Sequence, residues 1–511
     1  MQSVTIRVLF FREMEVETLP QEKRKREEEE DHLCIHCNKE ARFAEDMSLF
    51  SDLVESHYFC SLACQSKYYA WELMRDGETQ WVYNRRLYFM RLLAKNGKVI
   101  KHIKMVQMAI ADVVEDVRKI VLFNIMDTMS LRYARAESGR LAAYHDHVLF
   151  IGMRDTLFVQ GPNEFSQLGT GLSRQEHEKS VTPIPLRIPG VIFVATTHLY
   201  SSVITKNDDD TTSLWVTGRL VYLPAFEVYK FTRISGINDA IAVHCDKDHI
   251  VIVLKDNTFW SCPLTSLIPN GDELSAKFAN HERIHSIISF SRGYHIRMIK
   301  NDGTVWSSPF NGGEDILSFE EFKEETGLYE EAICLSLWGI SITLGNTLYM
   351  KKKDDNPLQS ILGSPIAPDD DTDVLWFGDA DYYLNMGLFL CVNHMNGVTS
   401  LRRHYMLQNA KVPFIDTVGN SDHIVSVVIG NDLHSPNIYV LKEDGSYWIA
   451  EYKHFQCTTP ATLKRVDYLA PLIVTQSQLK KPRCKDCTSS AHFSALCMST
   501  GNLVHHCESH Y

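Results

Sequence analysis

The chain has 511 residues, 44% hydrophobic and 23% charged, with a formal net charge of -12; it is too long for one ordinary domain and has the composition of a soluble globular protein. The negative charge excludes a whole-surface attraction to nucleic acid and leaves only a local basic patch to serve one. With no run of about eighteen apolar residues, and a start, MQSVTIRVLFFREMEVE, too acidic and too short in its apolar part for a secretory signal, neither a membrane span nor export is expected. Of the thirteen cysteines, those in two terminal clusters with CxxC spacing suit metal thiolates in a reducing compartment better than a disulfide framework. The expected location is intracellular, cytoplasm or nucleus.

Residues 1–31 end in QEKRKREEEED, which has no apolar side chain to bury and reads as a solvated tail or linker. Its run Lys23, Arg24, Lys25 and Arg26 is read first as solvated charge, with a nuclear import signal as the alternative.

Residues 32–75 carry Cys34-Ile-His-Cys37, then Tyr58-Phe59-Cys60-Ser61-Leu62-Ala63-Cys64 running into the helical stretch QSKYYAWELMR. A CxxC knuckle supplies half of a tetrahedral site. A second pair on the first turn of a helix completes it, where thiolates also gain from the positive helix N-terminus. The stretch YFCSLACQSKYYAW resembles the closing half of the MYND-type zinc finger, in which YCS-x-x-CQ leads into a helix. It departs from that pattern in having three residues between Cys60 and Cys64 and in lacking the ligands of a second site. One zinc on Cys34, Cys37, Cys60 and Cys64 is expected, with a structural role because four protein ligands leave no open position; free thiols on a disordered tail are the alternative.

A helical region follows over 76–142, within a pattern that starts near residue 66. Ile103, Val106, Ile110, Val113, Val117 and Ile120 recur at alternating steps of three and four, one apolar stripe read as the core face of a packed helix. A coiled-coil seam would sustain more heptads.

From 143 to 475 the texture changes to short β-branched and aromatic runs broken by Asp, Asn and Gly, and an internal repeat appears. HIVIVLKDNTFW (249–260) aligns without gaps on HIRMIKNDGTVW (295–306); NIYVLKEDGSYW (437–448) and HVLFIGMRDTLF (147–158) follow the same plan of strand, tight polar turn and strand. Weaker copies end near Trp215, Tyr349 and Leu401, so closing positions fall at 158, 215, 260, 306, 349, 401 and 448. Short apolar runs precede the hairpins at 191–197, 239–245, 284–290 and 331–337 and are expected to be inner strands. DYLAPLIV (467–474) is expected to close the ring by pairing with the first unit. Such spacing defines a mainly β, seven-bladed β-propeller, in which one blade cannot bury its faces without neighbours. His147, His249 and His295 sit at equivalent places and are expected to make a structural hydrogen bond inside each blade. Phe158, Trp260, Trp306 and Trp448 are expected in the blade cores.

FVQGPNEFSQLGTG (158–171) closely resembles the signature of the regulator-of-chromosome-condensation repeat. Gly161, Asn163, Gln167, Leu168, Gly169 and Gly171 match, and Ser166 stands where that family has glycine. The resemblance implies a seven-bladed propeller used as a binding platform; some members promote nucleotide exchange on a small GTPase and some bind chromatin. The glycines themselves are read as turn formers rather than phosphate binders.

At the C-terminus, residues 476–511, CKDCTSSAHF repeats the opening CIHCNKEARF. The expected zinc ligands are Cys484, Cys487, Cys507 and His510, with Cys497 or His506 as replacements for one of them. Neither terminal segment has enough apolar residues to fold alone, so metal would supply the folding energy, about two zincs per chain in all. The degenerate repeats beside finger-like modules are also similar to proteins of large DNA viruses.

There is no G-x-S-x-G elbow, phosphate loop, H-E-x-x-H or dinucleotide fingerprint. The expected function is a non-enzymatic protein-interaction scaffold with protein partners, no membrane and no small-molecule substrate. The alternative implied by the resemblance is a guanine-nucleotide exchange or chromatin-binding factor, which needs a basic propeller face. A ubiquitin-ligase substrate adaptor is a third reading, although the cysteine spacing lacks the eight-ligand cross-brace of a RING finger.

Overall fold

A computed structural model gives the fold. The structure describes residues 43–44, 58–59, 78–95, 104–106, 108, 110, 115–144, 147–171, 180–221, 226–245, 249–285, 287–290, 296–307, 323–325, 332–335, 340–343, 348–350, 359–360, 372–379, 387–394, 399–405, 414–420, 424–430, 437–451 and 463–468. The chain divides into two compact units, Met1–Asp76 and Gly77–Tyr511. In the first, β1 (Phe43–Ala44) and β2 (Tyr58–Phe59) pair antiparallel, Phe43 opposite Phe59 and Ala44 opposite Tyr58.

The second unit begins with two helices, α1 (Gln80–Lys95) and α2 (Glu115–Ala136). The apolar stripe lies C-terminal to α1, and its described residues fall on either side of 111–114, which lie outside the described residues. Asn96-Gly97 follows directly on α1, a pair that favours stopping a helix over continuing it. Val106 and Ile110 lie between the helices and are half-buried, Val117 and Ile120 fall in α2, and Ile103 and Val113 lie outside the described residues. Helix α1 buries Trp81, Tyr83, Tyr88, Phe89, Leu92 and Leu93, and α2 buries Met126, Leu131, Tyr133 and Ala134.

The remaining described residues form a mainly β structure of successive four-stranded meanders, the architecture of a β-propeller. Seven sheets are present among them. The first holds β3 (Leu141–Tyr144), β4 (His147–Ile151), β5 (Leu157–Gly161) and β6 (Ser180–Leu186); the second β7 (Val191–Thr196), β8 (Tyr200–Lys206), β9 (Thr212–Val221) and β10 (Phe226–Ile234). The third holds β11 (Ala240–Cys245), β12 (His249–Leu254), β13 (Thr258–Pro263) and, after an insertion, β16 (Ala279–His285). That insertion, β14 (Ile268–Asn270) and β15 (Glu273–Ser275), adds two strands to the second sheet, β15 running parallel to β10 with Leu274 opposite Ile234. The fourth holds β17 (Ile287–Phe290), β18 (Arg297–Lys300), β19 (Val305–Ser307) and β20 (Lys323–Glu324). The fifth holds β21 (Ala332–Leu335), β22 (Ile340–Thr343), β23 (Leu348–Met350) and β24 (Gln359–Ser360). The sixth holds β25 (Thr372–Asp379), β26 (Gly387–His394), β27 (Thr399–Tyr405) and β28 (Phe414–Asn420). The seventh holds β29 (Ile424–Ile429), β30 (Ile438–Lys442), β31 (Tyr447–Ala450) and β32 (Lys464–Val466).

Every closing position read from the repeat, Phe158, Trp215, Trp260, Trp306, Tyr349, Leu401 and Trp448, lies on the third strand of its sheet. The turns before five of them need a left-handed residue: Asp155, Asp210, Asn257, Gly303 and Gly445 have φ of 53, 61, 64, 86 and 78°. Gly, Asn and Asp are the residues that tolerate this region, which is why the turns read Arg-Asp, Asp-Asp, Asp-Asn and Asp-Gly. The Asp starting three of these turns caps them. Thr258 N donates to Asp256 Oδ1 at 3.0 Å, Thr304 N to Asp302 Oδ1 at 3.0 Å, and Ser446 N to Asp444 Oδ1 at 2.8 Å. The Ser446 bonds hold the Asp444 carboxyl below the usual carboxylate range. The hydroxyls then accept the indole N–H of Trp260, Trp306 and Trp448 at 3.1, 3.0 and 2.8 Å. These tryptophans are half-buried clamps on the turns, unlike Phe158, which is fully buried.

One strand expectation is corrected. The run 284–290 does not make one inner strand: Ile284 and His285 end β16, the outer strand of the third sheet, and Ile287–Phe290 begins the fourth. Of the expected closing strand DYLAPLIV, Asp467 and Tyr468 are described and are not strand, and residues 469–474 lie outside the described residues. The first and seventh sheets meet face to face, in a cluster of Leu141, Val148, Phe150 and Phe158 with Val428, Tyr439, Leu441 and Tyr447. Phe150 stacks on Tyr447 at 4.3 Å, and Tyr468 lies edge-on to Phe158 at 4.5 Å while its hydroxyl donates to the Gly445 carbonyl.

The helix pair lies across the sheet ends that carry the second-to-third-strand turns. Trp81 packs between Phe193 of the second sheet and Phe290 of the fourth, at 6.1 and 5.6 Å. Asn84 Nδ2 donates to Asn257 Oδ1 in the third sheet at 2.9 Å, Tyr88 Oη to the Ala332 carbonyl in the fifth at 2.6 Å, and Arg135 pairs with Glu443 in the seventh at 2.5 Å. Helix α2 also touches β25 and β29.

Candidate functional site

Among the described residues the helices lie across one face of the sheets, and none lies across the opposite face. It carries the first-to-second and third-to-fourth strand connections, and the signature loop 161–171 lies on it. Asn163, 3% exposed, organises that loop: its Oδ1 accepts from Leu168 N at 2.8 Å and its carbonyl from Ser166 N at 3.1 Å. Gln167 Oε1 accepts from Phe165 N at 2.8 Å. Gly161, Gly169 and Gly171 have φ of 106, 64 and 83°, so their turn-forming role is the one observed. A Cβ on Gly169 would meet the Phe231 ring at 2.5 Å. The loop thus locks the first sheet onto the second: Thr217 Oγ1 donates to the Ser166 carbonyl at 3.0 Å and Gly171 N to the Tyr229 carbonyl at 2.9 Å.

Ser166 sits strained within the loop. It is fully buried with φ of 60°, and its hydroxyl has no partner. Ser166→Gly is expected to stabilise the protein by about 1 kcal/mol, since it removes a strained left-handed residue and a buried unpaired hydroxyl. A urea-midpoint shift toward lower stability would contradict this.

Phe165, held at the tip of the loop, stands between Arg219, whose guanidinium lies 4.6 Å from its ring, and His198, edge-on at 5.2 Å. Arg219 Nε donates to Glu227 Oε1 at 2.8 Å. Tyr144 closes the other side of His198 at 5.9 Å. The His198 pKa is lowered by desolvation among these rings, against an upward pull from Glu164. Just beneath, His147 Nε2 meets Thr196 Oγ1, which in turn bonds Ser201 Oγ at 2.9 Å. This histidine joins the first sheet to the second. His249 is buried, and its carbonyl accepts from Tyr200 Oη at 2.6 Å, again between sheets. His295 lies outside the described residues.

The covered face is built by residues that the sequence reading passed over. Arg85, 1% exposed, donates to the carbonyls of Ala134 at 3.1 Å, Tyr133 at 3.3 Å and Ile288, and pairs with Glu137 at 3.1 Å. Arg86 bridges Glu78 at 2.8 Å and Asp127 at 2.5 Å, all three side chains buried. Adjacent arginines on a helix read as a solvated face, and only the aromatic residues around them, Trp81, Tyr83, Tyr88 and Phe89, signal burial.

All eight candidate zinc ligands, Cys34, Cys37, Cys60, Cys64, Cys484, Cys487, Cys507 and His510, lie outside the described residues. Among the described residues no group of three or more His, Cys, Asp or Glu is placed to hold a metal ion, and no described helix is long and apolar enough to cross a membrane. Cys245 is buried and its Sγ donates to Ser202 Oγ at 3.2 Å, and burial pushes the Cys262 thiol up.

Fold and faces together define a β-propeller protein. No family model matches the chain, and no curated protein matches it. Among solved structures it is similar to human WBSCR16, at 14% identity over 61% of this chain and 94% of that one, with a TM-score of 0.45. It is also similar to yeast RCC1 (Prp20) in its complex with Kap60, at 12% identity over 65% and 75%, with a TM-score of 0.33. The WD40 domain of Toxoplasma gondii coronin matches at 13% identity over 55% and 70%, with a TM-score of 0.35.

Proposed function

We propose that this chain is a non-enzymatic, intracellular protein-interaction scaffold built on a seven-bladed ring of the chromosome-condensation-regulator type. The observation that carries it is the inequality of the two faces. One is sealed by the chain's own helices, whose Arg85 and Trp81 are buried against the sheets, while the other presents Tyr144, Phe165, His198 and Arg219 around a rigid loop. Aromatic and arginine side chains fixed by packing are the usual anchors of protein interfaces. A ring of seven is supported by the packing of the seventh sheet on the first.

The test is site-specific photocrosslinking in cells, with the crosslinker at His198 and, as a control, at Asp272 on the inserted hairpin. Discrete protein adducts at position 198, lost on Phe165→Ala, are expected. Absence of adducts at 198 alongside adducts at 272 would refute use of the open face.

The same reading gives the terminal segments one structural zinc each, on Cys34, Cys37, Cys60 and Cys64, and on Cys484, Cys487, Cys507 and His510. The β1–β2 pairing supports the first set. An antiparallel hairpin brings its two free ends to one side, and Cys37 precedes that hairpin while Cys60 directly follows Phe59. Elemental analysis is expected to find about two zincs per chain, one fewer in Cys34→Ser and one fewer in Cys484→Ser; zinc-free wild-type protein would remove both sites.

A further inference from the structure

The turn between β8 and β9 in the second sheet and the link that follows β10 enclose a cavity of about 460 Å³, lined by Asn207, Asp208, Asp209, Thr211, Arg233 and Asn238. Hydrogen bonds fix its walls. Asn207 Nδ2 donates to Thr211 Oγ1 at 2.8 Å and to Ser213 Oγ at 3.1 Å, and Thr212 N donates to the Asn238 carbonyl at 2.6 Å, which ties the turn to the link. The lining has no aliphatic or aromatic residue.

Its charges are of both signs and do not neutralise one another. Arg233 Nε is shielded from solvent and has no hydrogen-bond partner, while Nη1 reaches Glu273 Oε1 only at the long distance of 3.5 Å. Among the described residues neither Asp208 nor Asp209 pairs with this guanidinium. Asp208 is exposed and makes no hydrogen bond or ion pair among them. The Thr211 hydroxyl and N–H hold the Asp209 carboxyl below the usual carboxylate range. The neighbouring acids are already answered by lysines, Asp210 by Lys206 at 2.8 Å and Asp239 by Lys255 at 3.7 Å. A guanidinium in the lining repels a bare metal cation, and two carboxylates repel a phosphate. A ligand that carries both signs meets both halves of the site.

We propose that this cavity binds a small zwitterion, with the ligand's carboxylate on Arg233 and its ammonium on Asp208 and Asp209. That is the chemistry of a free amino acid or a short peptide. A guanidinium fork offers a carboxylate two parallel bonds, and an ammonium has three donors for carboxylate oxygens. The site lies at the sheet ends that the helix pair crosses, not on the face of the signature loop. It goes beyond the scaffold reading and adds a ligand that is bound and not transformed.

The test titrates the full chain with glycine, glycylglycine and triglycine, followed by NMR saturation transfer. These probes carry the two charges at increasing separation and little else. Saturable binding is expected, tightest for glycine if the ligand is a free amino acid and for a longer probe if it is a peptide. The N-acetylated form of the best probe, which lacks the ammonium, and its C-amidated form, which lacks the carboxylate, should each bind at least about tenfold more weakly. The same loss is expected for the best probe in Arg233→Gln and in Asp208→Asn. Thermal stability should be unchanged in Asp208→Asn, since that side chain is exposed. No saturable binding below about 10 mM, equal binding of a blocked form, indifference to either substitution, or the same loss in Glu164→Gln on the opposite face would each overturn the proposal. Adducts at His198 test the scaffold reading separately, so either reading can fail alone.

Discussion

Glu325→Ala is expected to destabilise the protein by about 3–5 kcal/mol. Glu325 and Arg297 are 7% and 2% exposed and meet in a two-pronged pair, Nε to Oε1 at 2.9 Å and Nη2 to Oε2 at 2.6 Å. Arg297 comes from β18, Glu325 directly follows β20, and the Glu325 N–H donates to the Val305 carbonyl at 2.7 Å. The pair therefore spans the fourth sheet, whose outer strand is only two residues long, and takes over the work that a longer strand would do. Removing the carboxylate takes a two-pronged ionic partner from a buried guanidinium, and that loss accounts for most of the cost. Arg297→Met/Glu325→Leu, which buries no charge, should recover most of the loss. Urea unfolding with an unchanged slope measures both variants; a single-variant cost below about 1 kcal/mol would show that water reaches the pair.

Phe150→Ala is expected to cost about 3–5 kcal/mol, and to do so at one place. Phe150 is fully buried between Tyr447 at 4.3 Å and Phe158 at 5.2 Å, with Tyr468 edge-on at 5.3 Å. No described strand is shared between the first and seventh sheets, so this aromatic stack carries the junction without a hydrogen-bonded ladder across it. Hydrogen exchange in the variant should rise first in β3, β4, β30 and β31 while β11 and β12 stay protected. A rise that begins in β11 and β12 would show that the junction is not the weak point of the ring.

The hairpin repeat was legible because its signal is local. A left-handed turn needs Gly, Asn or Asp, an Asp caps it, and an aromatic follows at fixed distance, so Asp256 to Trp260, Asp302 to Trp306 and Asp444 to Trp448 stand out from one sequence. Ser166 was visible as a departure from the signature, though its φ of 60° was not. The buried arginines of the helix layer were not legible because their burial is tertiary: nothing near Arg85 in the chain reveals that Ile288, some two hundred residues on, offers a carbonyl to it. The inserted hairpin β14–β15 escaped for the same reason, since its partner strand β10 belongs to the preceding sheet. The run 284–290 reads as one strand because the last residues of β16 and the first of β17 are separated in the chain by a single residue, Ser286, with no Gly, Pro, Asn or Asp to mark the boundary.

The helix layer also imposes an order on biosynthesis. Its bonds to the sheets reach from Asn84 to Asn257, from Tyr88 to Ala332 and from Arg135 to Glu443, separations of 173, 244 and 308 residues. At ribosomal speeds of about 5–20 residues per second, the last of these contacts arrives roughly 15–60 s after its helix has emerged. Trp81 and Tyr88 wait less long, until Phe193, Phe290 and Ala332 of the second, fourth and fifth sheets have been made, so nascent chains are expected to depend on a chaperone that shields aromatic helices over that interval.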